Sequence, residues 1–214
     1  MKIKTSYYSH AEERLNVISH ALGLLLSVFG LFLLVSKAVK LNQDLYVVSV
    51  IVYGISLVVL YGASTFYHAA KSRGLRTKLN ILDHAAIYVL IAGTYTPFTL
   101  VTLPKNTGII LFLVVWAFAF FGVVLKIFFT GRFKLISTIL YVLMGWLVVF
   151  AINPLIENLA TQGLYLLFAG GIFYTIGAVL FMIEKLKFNH AIFHIFVLLG
   201  SLSHFFAIYQ YVII

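Results

Sequence analysis

Asn189-His190-Ala191-Ile192-Phe193-His194-Ile195-Phe196-Val197-Leu198-Leu199-Gly200-Ser201-Leu202-Ser203-His204 opens the last hydrophobic run of the chain, and from His190 to Ile214 there is no Asp, Glu, Lys or Arg. A run of this kind matches the roughly 20 apolar residues that a helix needs to cross a bilayer. It also carries three of the seven histidines. His190 and His194 are four apart, which on a helix stacks two imidazoles on one face at the spacing a divalent metal needs.

The rest of the chain resembles this segment. Of its 214 residues 63% are hydrophobic and 10% charged, against roughly 45 to 50% apolar and 25% charged in soluble domains. Continuous apolar runs without period-2 alternation exclude a barrel. Seven spans can be drawn, about Val17 to Val39, Leu45 to His68, Leu79 to Leu103, Gly108 to Phe129, Leu135 to Ile152, Leu164 to Ile183 and His190 to Ile214. The expected fold is an all-α integral membrane protein, residues 1–214 forming one seven-helix transmembrane domain behind a short tail, 1–16. That tail lacks the apolar core of a secretory signal, so the first run is expected to stay as a span. Pro97, inside span three, removes a helix hydrogen bond and is expected to kink its outer half.

The net charge of +9 is a topology signal rather than a nucleic-acid one. Twelve of the fifteen Lys and Arg fall on one side: Lys2, Lys4, Arg14, Lys71, Arg73, Arg76, Lys78, Lys126, Arg132, Lys134, Lys185 and Lys187. Only Lys37, Lys40 and Lys105 remain for the other. The positive-inside rule therefore predicts a cytoplasmic N-terminus and an outside C-terminus.

With that orientation, His68 ends span two on the inside, Asp83 begins span three there, and His190 and His194 begin span seven at the same level. The absence of cysteine leaves imidazole and carboxylate as metal ligands, which favours zinc or another borderline metal over copper(I). Asp83 is the acidic residue that falls inside an expected span, where a lone carboxylate needs a compensating cation. His68, His190 and His194, with Asp83 acting directly or through water, would make a tetrahedral site with an open position, the pattern of catalytic zinc. Glu13, Asn16, Ser19 and His20 recur every three or four residues and share a face near this level, as groups that orient metal ligands would. His84, beside Asp83, points elsewhere; His204, fourteen residues beyond His190, is about 21 Å away along the axis. His10 is expected to be a solvated tail residue.

Glu13-x-x-Asn16-x-x-Ser19-His20, Ser64-x-x-x-His68, Leu82-Asp83-His84 and His190-x-x-x-His194 with a later His204 together resemble the hemolysin III family. That family belongs with the progestin and adipoQ receptors and the alkaline ceramidases. The resemblance implies a seven-helix bundle with zinc near the cytoplasmic face, bound by His68, His190 and His194. It further implies that Asp83 holds the water at the metal, that Ser64 lies nearby, and that His204 is not a ligand. No hormone-receptor role follows from it.

The expected function is a zinc-dependent hydrolase of an amide or ester bond in a membrane lipid, reached laterally from the bilayer of the cell membrane. Zinc would activate water, Asp83 would orient or deprotonate it, and Ser64 would donate to the developing oxyanion. The alternative is a membrane-damaging or pore-forming hemolysin. A released cytolysin should be soluble before insertion, and this chain has neither an export signal nor amphipathic segments for that.

Overall fold

The computed structural model describes residues 8–214. Lys2 and Lys4, used in the charge count, lie outside the described residues, as does the tail up to residue 7. The described residues form α1 (His10–Val39), α2 (Asp44–Ala69), α3 (Arg73–Pro97), α4 (Lys105–Phe129), α5 (Lys134–Gly145), α6 (Ile152–Asn158), α7 (Thr161–Met182) and α8 (Asn189–Tyr211). A π turn, Phe98–Thr102, prolongs α3, and a 3-10 turn, Leu147–Ala151, joins α5 to α6 into one span. Seven helical spans are thus long and apolar enough to cross a membrane.

Two elements differ from the expectation, spans one and five. α1 starts at His10 rather than near Val17, because Ser9 caps it by accepting the Glu12 amide and because Glu12 and Glu13 lie in its first turn, where carboxylates favour the helix dipole. The expected tail is therefore helical from His10 onward, and Glu13 belongs to a span. Span three runs through Pro97 as drawn: the Thr96 and Thr99 hydroxyls bond to the Ala92 and Tyr95 carbonyls, and at Pro97 the regular α-helix gives way to the π turn. Span five is broken at Trp146, its chain running on to Asn158 instead of stopping at Ile152.

Packing places span three at the centre. α1 lies against α2 and α8, α8 against α7, α2 against α3, and α3 against α4. The apolar window of span three is 67% buried, against 17% for span five, so the helix carrying Asp83 is the best shielded. The outside is apolar: Leu25, Phe32, Phe120, Phe128 and Phe150 are all exposed. Apolar surface costs roughly 25 cal/mol per Å² in water, so a bundle with this exterior belongs in lipid, as a multi-pass membrane protein. α7 can approach α8 because Gly170 faces His204, where a Cβ would collide with the imidazole.

Candidate metal centre

Four helix ends meet at one end of the bundle. α1 begins there with Glu13, Asn16 and Ser19, α2 ends with Ser64 and His68, α3 begins with Arg76 and Asp83, and α8 begins with His190 and His194. His68, His190 and His194 are all buried, and each offers a ligand atom within 4.8 Å of the others. The His68 and His190 Nε2 atoms are 3.0 Å apart.

The far nitrogens show how these rings are held. An ionised carboxylate only accepts, so His68 donates Nδ1–H to Glu13 Oε2 at 2.7 Å. That bond leaves the lone pair on Nε2, facing His190. Ser19 spends its hydroxyl proton on the Asn16 carbonyl, 3.1 Å away, so its oxygen accepts Nδ1–H of His194 at 3.3 Å. His194 therefore also keeps its Nε2 lone pair free. His190 Nδ1 is buried without a hydrogen-bond partner, and the Tyr8 ring stacks on this imidazole at 4.7 Å. Burial pushes the Tyr8 hydroxyl far above its ordinary range, so it stays protonated.

The three rings could hold a metal ion. Two nitrogens on one tetrahedral zinc stand roughly 3.3 Å apart, given Zn–N bonds of about 2.05 Å, and the 3.0 Å between His68 and His190 is close to that. All-imidazole donors suit zinc and other borderline metals. Three protein ligands leave a fourth position open.

Asp83 lies outside the group of three. It is buried and stands 3.8 Å from His84 Nδ1, which itself donates to the Asn80 carbonyl at 2.9 Å. The Ser64 hydroxyl, one helical turn before His68, is buried and interacts with the Asp83 carboxyl. His20 stacks on His194 with ring centres 3.5 Å apart, and both of its nitrogens are buried and unpartnered. His204 is in the opposite half, where Nε2 donates to the Leu167 carbonyl at 3.0 Å. His10 is exposed on the first turn of α1.

Two participants escaped the sequence. Arg76 counts as a loop cation in a charge tally, yet it is 2% exposed and bonds to Glu13 and to the Tyr67 and His68 carbonyls at 3.2 and 3.5 Å. Glu13, on the face it shares with Asn16 and Ser19 at the same helix-end level, was the available signal, because a half-buried carboxylate asks for a cation. Tyr8 precedes any apolar run, and no pattern in the sequence marks it.

The whole chain has relatives. The profile of a family described as Haemolysin-III related matches residues 8–205. Hemolysin-3 of Bacillus cereus is 48% identical over 202 residues, covering 94% of this chain and 92% of that protein. The Hemolysin-3 homolog of Bacillus subtilis (strain 168) is 44% identical over 200 residues, with 94% of each covered. The human Monocyte to macrophage differentiation factor is 28% identical over 220 residues, covering 98% of this chain and 87% of its own length.

Proposed function

The chain belongs to the haemolysin-III related family, and from that premise we propose that it is a zinc-dependent hydrolase of amide or ester bonds in lipids of the cell membrane. The observation that carries this reading is the trio of buried histidines converging at one end of a lipid-facing bundle, with the buried Ser64 hydroxyl one helical turn before His68. Ionisable groups inside a membrane are costly and default to a functional role.

His68, His190 and His194 would hold the ion, which when bound supplies an activated water and a Lewis acid for a carbonyl oxygen. Glu13 and Ser19 keep the His68 and His194 rings in the tautomer that points Nε2 inward. Asp83, outside the ligand group, is left to orient the attacking water and take its proton. It then returns that proton to the departing amine or alcohol, so the cleaved bond yields a free acid and a neutral leaving group. Ser64 donates to the negative charge growing on the substrate carbonyl oxygen. The apolar exterior lets a lipid reach these groups without leaving the bilayer.

The test is hydrolysis of a membrane-lipid panel by the purified protein, read as released fatty acid by mass spectrometry. His194→Ala and Asp83→Asn are each expected to lower turnover by at least about a hundredfold. Turnover that survives both variants would refute the hydrolase reading. The name of the Bacillus cereus relative favours a second, lytic reading. Dye release from liposomes by the His194→Ala protein at the wild-type rate would support it.

A further inference from the structure

Two of the three imidazoles have a hydrogen bond behind them and the third does not. A metal-binding histidine ordinarily gives its far N–H to a carboxylate, a carbonyl or water, which fixes the ring. His68 has Glu13 in that place at 2.7 Å, and His194 has Ser19 at 3.3 Å. His190 turns Nε2 towards His68, yet its Nδ1 is buried with no hydrogen-bond partner. It is also the second residue of α8, in the turn whose amides lack helical acceptors, so its backbone is less tied than that of His194.

What holds His190 is aromatic. The Tyr8 ring lies nearly parallel to it, with planes 18° apart and centres 4.7 Å apart, as an offset stack does. Phe181 leans on it at 5.3 Å and 57°. Phe181 belongs to α7, whereas Tyr8 precedes α1. The Tyr8 amide donates to Glu13 Oε1 at 3.3 Å, on the carboxylate that also orients His68.

We propose that Tyr8 is a positioning residue of the metal centre, its ring standing in for the missing hydrogen bond and holding His190 with Nε2 facing His68. The residue ahead of α1 thereby becomes part of the site. Tyr8 and Phe181 also line a cavity of about 420 Å³, with Ser9, Glu12, Phe188 and Asn189 among its other walls. Deleting the Tyr8 ring would extend that cavity to the face of His190, and the imidazole would gain room to turn.

This inference rests on the trio binding a metal, so its test reads the metal rather than turnover. Zinc affinity is measured by competition with a chelator for the wild type, Tyr8→Phe and Tyr8→Ala, and the visible absorption of the cobalt(II)-loaded proteins reports the ligand geometry. Tyr8→Ala is expected to bind zinc about tenfold more weakly, as loss of a stacked ring against one ligand allows, and to change the cobalt bands. Tyr8→Phe keeps the ring and should match the wild type in both. Linkage requires the converse effect: zinc should slow hydrogen exchange of the Tyr8 amide by about the same factor, a comparison that uses wild-type protein alone. Equal affinity and equal cobalt spectra in the wild type and Tyr8→Ala, a Tyr8→Phe protein as weak as Tyr8→Ala, or a Tyr8 amide indifferent to zinc would overturn the role. A wild type that binds no metal would remove the centre itself and this role with it.

Discussion

His68 is the side chain on which most of the centre depends, because it is gripped through its backbone and its ring at once. Arg76 ties the Glu13 carboxylate to the carbonyls of Tyr67 and His68, and the other Glu13 oxygen takes the His68 Nδ1 proton. Such outer partners commonly set metal affinity by 10- to 100-fold. Glu13→Gln is therefore expected to weaken zinc binding by about that factor while the chain stays folded, measured by competition with a chelator of known affinity. Unchanged affinity would mean that Glu13 only braces the helices. At this scale the sequence was informative where spacing is local: the four-residue step from His190 to His194 and the polar recurrence from Glu13 to His20 both read directly as helix faces. Arg76 and Tyr8 were not legible, since their roles come from how α1, α2 and α3 meet. No local pattern encodes such an approach.

The helices themselves followed from hydropathy, but their irregularities did not. Span five breaks at Trp146, and Tyr95 of α3 fills the break: its hydroxyl donates to the Gly145 carbonyl at 2.7 Å and accepts the Val148 amide at 2.8 Å. Backbone groups freed inside a membrane must be satisfied by protein. Tyr95→Phe leaves both groups bare and should cost about 1 to 3 kcal/mol for each one left unpaired, seen as a lower midpoint of thermal unfolding in detergent. A wild-type midpoint would show that the break does not lean on Tyr95. Proline marks one irregularity and not the other. Pro97 stands where the α-helix of span three passes into its π turn, whereas span five breaks at Trp146 and its own proline, Pro154, lies within the first turn of α6, where the missing amide matters little.

On the scale of the whole molecule, charge and chemistry share one end. The links that carry Lys71, Arg132, Lys185 and Lys187 leave the bundle beside His68 and His190, and by the positive-inside rule that end is expected in the cytoplasm. Reading those cations from the sequence brought the ends of spans two, three and seven to one level, and the structure brings His68, His190 and His194 within 4.8 Å of one another. Asp83 shares that level without joining the trio. A depth argument cannot separate such cases, because it fixes height along the bundle and not the direction a side chain takes around its helix. The central claim is that this trio is a metal site, and metal content tests it most directly. Detergent-purified wild-type protein and the His190→Ala, His194→Ala double variant, both folded by circular dichroism, are analysed by inductively coupled plasma mass spectrometry. One zinc per chain in the wild type and none in the variant is the expected result; a wild-type chain that stays free of metal after zinc loading would contradict it.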